Sequence, residues 1–135
     1  MVAVGLEEFV SLDGELEDVL RGARAAGAAL IAAHPYEHAD EAQRRTLRLA
    51  AEWDALAPLV DRVELFNRDE LFSWVARAGA AAVATGDFHR EEHLATWKTL
   101  VPCARDVRSL VDYLRSPLPV YLTRPEPALR DSLAA

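Results

Sequence analysis

Two residues in one short segment could bind a metal ion together. Asp87 and His89 are separated by Phe88, and residues two apart in an extended segment project to the same side, so a carboxylate and an imidazole could grip one ion. Gly86 before them allows the chain to turn sharply. This pair suits Zn²⁺, Mn²⁺ or Fe²⁺ better than Ca²⁺ or Mg²⁺. The alternative is that Asp87 caps a short helix and His89 is an exposed loop residue.

A histidine and a glutamate elsewhere in the chain extend this candidate site. Pro35 favours an extended conformation at His34 and interrupts the strand before it. A lone histidine at a strand end is more often a packing or turn residue, so only proximity to Asp87 and His89 would make it a ligand. Glu64 lies inside an apolar strand, where an unpaired carboxylate is costly to bury. It needs a partner or a metal-lined cavity, unless it faces solvent on an edge strand.

Short apolar runs alternate with amphipathic stretches along the whole chain. The predicted strands are Val2–Val4, Ala28–Ala33, Arg62–Phe66, Ala80–Thr85, Lys98–Val101 and Val120–Thr123. The predicted helices are Glu15–Ala26, one opened by a capping box at Asp40 and Gln43, one opened by a capping box at Asn67 and Glu70, a short turn at Arg90–Leu94, and one around Val107–Leu114.

This alternation predicts an α/β fold with right-handed strand–helix–strand units and a parallel sheet. Ligands of such sheets bind beyond the carboxyl ends of the strands. Residues capable of chemistry lie at or just after the end of each of the first four predicted strands: Glu7 and Glu8, His34, Glu64 and Asn67, and Asp87 and His89. We therefore expect them at one edge of the sheet. Asn67 has a second explanation, because its capping role alone would account for it.

Size and composition limit the class of function. The 135 residues fit one domain, predicted over residues 1–124 with a tail at 125–135. The net charge of −7 makes non-specific nucleic-acid binding unlikely, although metals would still allow a small anionic substrate. The chain lacks an apolar run of about 20 residues for a membrane span. A single cysteine and the absence of a signal-peptide pattern predict a cytoplasmic location.

Three motifs in this order resemble the C-terminal half of the PHP (polymerase and histidinol phosphatase) domain. They are Ala-Ala-His-Pro at 32–35, Val-Glu-Leu-Phe-Asn at 63–67 and Thr-Gly-Asp-Phe-His at 85–89, within a match over roughly residues 2–123. Proteins of this family fold as an irregular seven-stranded (β/α) barrel, hold up to three divalent metals at the strand ends and hydrolyse phosphate esters. The resemblance implies a parallel (β/α) partial barrel and a metal-dependent phosphoesterase with a small phosphorylated substrate.

The resemblance also assigns site residues by position. The metal ligands (Zn, Mn or Fe) would be His34, Asp87, His89 and, from a Gly-x-Glu pattern, Glu7. Residues expected beside the substrate are Arg90, Glu64 and Asn67, with Arg90 suited to a phosphate oxygen.

The chain departs from the family because no histidine precedes His34, whereas the family begins with a His-x-His strand. About four ligands remain, and the predicted strands are too few to close a barrel, which leaves an open sheet edge. We therefore expect activity to need a complementing N-terminal half, and the open edge favours a homo-oligomer. The alternative is a non-catalytic, dimerising module that binds a metal or an anion.

Overall fold

A computed structural model describes residues 1–37 and 48–125. The strands in these ranges are β1 (Val2–Val4), β2 (Ala29–Ala32), β3 (Arg62–Asn67), β4 (Glu70–Leu71), β5 (Ala82–Ala84), β6 (Lys98–Leu100) and β7 (Tyr121–Thr123). The helices are α1 (Leu16–Ala25), α2 (Arg48–Ala51), α3 (Trp53–Leu56), α4 (Ser73–Arg77) and α5 (Val107–Arg115), with 3₁₀ turns at Ala57–Leu59 and Glu91–Ala95. No helix in the described ranges is long and apolar enough to cross a bilayer.

The main sheet is built around β3. Strands β2 and β5 both run parallel to β3, which confirms the α/β class with a parallel sheet. Strand β5 pairs along one side of β3. On the other side, β2 pairs with the first residues of β3 and β4 pairs with the last ones. Strands β6 and β7 form a separate antiparallel pair, joined to β5 by hydrogen bonds between the Thr99 hydroxyl and the backbone of Ala84. The described strands do not close into a barrel.

The predicted parallel orientation of the first strand is wrong. Val2 pairs with Ile31 and Val4 with Ala29, so β1 is antiparallel to β2. A parallel unit would need β1 to end where α1 begins. Instead, residues 5–15 form a long connection that returns the chain along the sheet before α1 starts. Helix α1 is about 15 Å long at 1.5 Å per residue, and such a connection can span that distance.

Strand β2 is buried on both faces, as its uninterrupted apolar run predicted. On one face Leu30 packs with Leu20 of α1, and on the other Ile31 packs with Val111 of α5. Burying each large aliphatic side chain contributes about 1.5–3 kcal/mol. This double-sided packing fixes the position at which β2 ends.

The charged side chain of Arg62 ties α5 to the beginning of β3. Its guanidinium is buried and donates hydrogen bonds to the carbonyl oxygens of Leu114, Tyr113, Ser116 and Leu118. These oxygens lie at the end of α5, where carbonyl groups lack partners within the helix. Burial lowers the pKa of Arg62. These contacts anchor α5 to the beginning of β3, at the opposite end of the strand from Asn67.

The predicted capping box at Asn67 and Glu70 is also wrong. These residues pair across a hairpin between β3 and β4, with Arg68 and Asp69 in the turn, and α4 begins only at Ser73. The Asn67 side chain donates a hydrogen bond to Glu64 and does not cap the helix. The capping box predicted at Asp40 and Gln43 lies outside the described residues, as does the tail from residue 126.

Candidate functional site

Glu64 is a buried carboxylate that joins the ends of three strands. Only 1% of its surface is exposed. Its Oε2 accepts hydrogen bonds from the backbone N–H of His34 at 2.5 Å and from Asn67 Nδ2 at 3.0 Å. The Thr85 hydroxyl donates to its Oε1. Glu64 therefore does not face solvent on an edge strand, and its partners explain how a charge is accommodated inside an apolar strand.

Two predicted metal ligands follow the strands that flank β3. His34 follows β2, and Asp87 follows β5, so both lie at the carboxyl edge of the parallel strands. These two strands lie on either side of β3, so their axes are two strand spacings, or about 10 Å, apart. The carboxylate of Glu64 contacts the chain at His34 and at Thr85, two residues before Asp87. One buried group thus fixes both strand ends.

The backbone at this edge is strained. Among the described residues, those other than glycine with positive φ are His34 (33°), Arg68 (53°) and Asp87 (39°). Side chains with a Cβ atom adopt this region at a cost, and such residues concentrate at functional sites. Gly86 has no positive φ, so the sharp turn expected there falls on Asp87 instead. The three strained residues follow β2, β3 and β5 at the same edge.

Asp87, His89 and Arg68 form a contact network. Arg68 Nη2 donates to Asp87 Oδ2 at 2.8 Å, and its Nε donates to the Asp87 carbonyl oxygen at 3.4 Å. His89 Nδ1 lies 2.8 Å from that carbonyl oxygen and 3.6 Å from Asp87 Oδ1. Nδ1 also lies 3.3 Å from Arg68 Nη2, so it donates to the Asp87 carbonyl oxygen in one tautomer and accepts from Arg68 in the other. In the first tautomer Nε2 carries the lone pair, as in histidines that coordinate a metal.

Lys98 is a second cationic side chain at this edge, beside Gly86, and local sequence patterns did not indicate it. Its ammonium donates to the His93 carbonyl oxygen at 2.6 Å and to Thr96 Oγ1 at 2.8 Å. A Cβ atom on Gly86 would overlap this ammonium, so a larger residue there would displace the end of the Lys98 side chain. Burial lowers the pKa of Lys98, and the charge of Asp69 opposes that shift. Neither Lys98 nor Arg68 lies in a motif, so only the folded arrangement identifies them.

Two other predicted site residues do not join this edge. Glu7 follows Val4, which pairs with Ala29 at the beginning of β2, so Glu7 follows the opposite end of the sheet from His34. The expectation that Glu7 bridges metals beside His34 assumed a parallel β1, and the antiparallel pairing of β1 with β2 contradicts that assumption. Arg90 points into solvent, with 76% of its side chain exposed and Glu92 at 3.8 Å. Arg68 is the arginine that contacts the predicted ligands.

The substrate contacts expected of Glu64 and Asn67 also change. Asn67 is buried and its amide donates to Glu64, so both side chains are used within the protein. They support the strand ends that carry His34 and Asp87. Both residues lie in β3 near its carboxyl end, but their side chains contact protein groups.

The described residues do not form a complete metal site. Within residues 1–37 and 48–125, no group of three or more His, Cys, Asp or Glu side chains lies close enough together to hold an ion. Asp87 and His89 form a pair, and His34 lies two strands away. The donor types suit Zn²⁺ or Mn²⁺, but the number of ligands does not. A metal at this edge would need ligands from elsewhere.

Comparison with known proteins gives no relative. No protein-family model matches the chain, and no curated protein matches its sequence. Membership of the PHP family therefore stays a prediction that rests on the three motifs.

Proposed function

We propose that this chain is the C-terminal part of a PHP-like phosphoesterase, in which the edge beyond β2, β3 and β5 contributes part of the site for a small phosphate ester. One observation carries the proposal: His34 and Asp87 both have left-handed backbones, and one buried carboxylate, Glu64, holds the chain at His34 and near Asp87. Such strain persists where the surrounding structure enforces it. The partial (β/α) barrel and a cytoplasmic location belong to the same proposal.

The charges at this edge suit an anionic ligand. The guanidinium of Arg68 and the ammonium of Lys98 lie beside Asp87 and Gly86, in a chain with a net charge of −7. Cationic donors are the usual partners of phosphate oxygens. We therefore assign the contact with phosphate oxygens, which we expected of Arg90, to Arg68 and Lys98. In one tautomer, His89 Nε2 offers a further lone pair at the same edge.

Hydrolysis is expected only when the missing ligands are supplied. They would come from an N-terminal half or from a second copy of this chain. The chain alone would then bind inorganic phosphate in the presence of Mn²⁺ or Zn²⁺ but turn over phosphomonoesters slowly.

The test compares the wild type with His34→Ala, Asp87→Asn and His89→Ala. Metal-dependent phosphate binding is measured by calorimetry and turnover with a chromogenic phosphomonoester. The proposal expects each substitution to weaken phosphate binding. Wild-type phosphate affinity in all three variants would contradict the proposal.

The second candidate function is a non-catalytic, dimerising module that binds a metal or an anion. The Arg68–Asp87 ion pair favours it, because that pair already neutralises a predicted ligand. Turnover by the chain that His89→Ala abolishes would exclude this candidate. Phosphate binding without turnover, even when an N-terminal half is added, would support it.

A further inference from the structure

Lys98 is the only lysine of the chain, and its positive charge is not neutralised by a neighbouring carboxylate. Within residues 1–37 and 48–125, no carboxylate lies within 4 Å of its ammonium. The charge of Asp69 acts on Lys98 from further away, and Asp69 is itself paired with Arg124 at 3.1 Å. The close partners of the ammonium are neutral oxygen atoms of His93 and Thr96. A half-buried cation of this kind attracts an anion more strongly than an exposed one does.

The backbone beside this ammonium has hydrogen-bond donors that the protein does not use. The ammonium and the Thr96 hydroxyl lie against Gly86, where a Cβ atom would overlap the first and come within 3.2 Å of the second. In the described part of the chain, the N–H groups of Gly86, Asp87 and Phe88 have no acceptor. Asp87 is left-handed, with φ 39°. Successive N–H groups around such a residue form a concave site for an anion.

The carboxylate of Asp87 does not cancel this attraction. Arg68 Nη2 donates to Asp87 Oδ2 at 2.8 Å, so a positive charge already faces the carboxylate. The exposed fractions of the two side chains are 41% and 28%, and water therefore screens the pair only in part. The charge of Lys98 remains uncompensated beside the donors of residues 86–88, in a chain with a net charge of −7.

We infer that Lys98 and the backbone N–H groups of residues 86–88 form a phosphate-binding site that needs no metal ion. An ammonium has three donors. Two are used by His93 and Thr96, and the third reaches the Trp97 carbonyl oxygen only at 3.5 Å, so it is available to a phosphate oxygen. The other phosphate oxygens accept from the N–H groups. The inference rests on the proposed function for the choice of phosphate as the ligand.

A purely structural role for Lys98 makes a different prediction. Its bond to the His93 carbonyl oxygen ties β6 to the 3₁₀ turn Glu91–Ala95, so losing the ammonium would lower stability whether or not an anion binds. Only a binding site predicts that phosphate raises the urea midpoint of the wild type, because a ligand that binds the folded chain alone stabilises it. This gain should be lost with the Lys98 charge.

The experiment titrates sodium phosphate into the isotope-labelled full chain in EDTA, against sodium chloride at equal ionic strength. The amide signals of residues 86–88 and the signal of the single lysine side chain are expected to shift together and to saturate. Lys98→Met removes the charge but keeps an unbranched side chain, and it should weaken phosphate binding about tenfold or more. Lys98→Arg keeps the charge and should stay closer to the wild type, which separates loss of charge from loss of folding.

The matched control is Arg21→Met, which removes a positive charge from a side chain of α1 that is 62% exposed. Its phosphate affinity should stay within about twofold of the wild type. Equal phosphate affinity of the wild type and Lys98→Met would overturn the inference.

Two further outcomes separate this inference from the proposed function. Phosphate that leaves the signals of residues 86–88 unchanged in EDTA, but binds once Mn²⁺ is added, would overturn the metal-free site and leave the proposed function standing. Saturable binding in EDTA, with no turnover when Mn²⁺ and an N-terminal half are supplied, would support the site and contradict the hydrolytic function.

Discussion

Glu64 holds together the strand ends that carry the candidate ligands. It accepts hydrogen bonds from three donors, which belong to His34, Asn67 and Thr85. Hydrogen bonds to a charged group contribute about 1.5–3 kcal/mol each, and leaving their buried partners unsatisfied adds a further cost. At the scale of single residues, the edge depends on this carboxylate more than on any exposed group.

We predict that Glu64→Ala lowers the free energy of unfolding by about 3–5 kcal/mol, because three donors lose their acceptor. Glu64→Gln keeps one acceptor oxygen and should cost about 1–2 kcal/mol. Urea unfolding at neutral pH measures both values. Glu91→Gln, at an exposed glutamate, is the matched control and should stay within about 0.5 kcal/mol of the wild type. Equal stability of Glu64→Ala and Glu91→Gln would contradict the role given to Glu64.

The residue types of the site could be anticipated better than their contacts. The sequence indicated that Glu64 needs a partner, and it predicted Asp87 and His89 on one side of an extended segment, whereas the backbone of Asp87 is left-handed. It could not indicate Arg68 or Lys98, because neither lies near Asp87 along the chain. The contact of Arg68 with Asp87 arises from the pairing of β3 with β5 and from the turn into β4, whereas Lys98 reaches Gly86 from β6. Such contacts follow from tertiary packing, which local sequence patterns do not predict.

At the scale of elements, long apolar or amphipathic segments were predicted well. Helix α1 spans Leu16–Ala25, within the predicted range, and the run Ala28–Ala33 contains β2. The errors arose where a local sequence pattern was compatible with two different structures. The capping box at Asn67 and Glu70 has the composition of a hairpin turn as well, and pairing of β4 with β3 decided between them.

Gly5 offers a test of how the chain leaves β1. It has φ +77°, and a Cβ atom there would overlap Val111 Cγ2 on α5. We predict that Gly5→Ala destabilises the protein by about 2–4 kcal/mol, from backbone strain and overpacking together. Gly79 has φ +65° with open space around it, so Gly79→Ala should show the strain alone, about 1 kcal/mol. Equal losses in the two variants, measured by thermal or urea unfolding, would contradict the close packing of Gly5 on α5.

The beginning of α5 gives a prediction of pH dependence. Hydrogen bonds from the Ser109 backbone N–H and then from its hydroxyl hold the pKa of Asp106 below its usual range. A carboxyl group with a lowered folded-state pKa stabilises the protein above its unfolded-state pKa, and this contribution is lost as the pH falls through the folded-state value.

Asp106→Asn should therefore lose less stability on acidification than the wild type. Asparagine still caps a helix but does not titrate in this range. The urea midpoints at pH 6 and at about pH 3 measure the effect, which begins as the pH falls below about 4. A wild type and an Asp106→Asn variant whose midpoints fall in parallel would contradict it.

At the scale of the whole molecule, the alternation of strands and helices predicted the α/β class and the parallel core of β2, β3 and β5. It did not predict the antiparallel β1, because alternation along the chain does not fix strand direction when a connection as long as residues 5–15 is present. Because β1 is antiparallel to β2, Glu7 does not follow a parallel strand as predicted. The candidate site therefore depends on fewer strands than expected, and these are the strands that Glu64 connects.

We propose that the chain at the carboxyl ends of β2 and β5 binds a divalent metal through Asp87. Mn²⁺ added stepwise to the isotope-labelled chain tests it most directly, because the ion broadens the NMR signals of nearby residues even when affinity is low. The claim predicts that the amide signals of Asp87 and His89 broaden first and that Asp87→Asn removes this preference. Broadening that starts at exposed acidic residues such as Glu7 and Glu8, and is unchanged in Asp87→Asn, would contradict it.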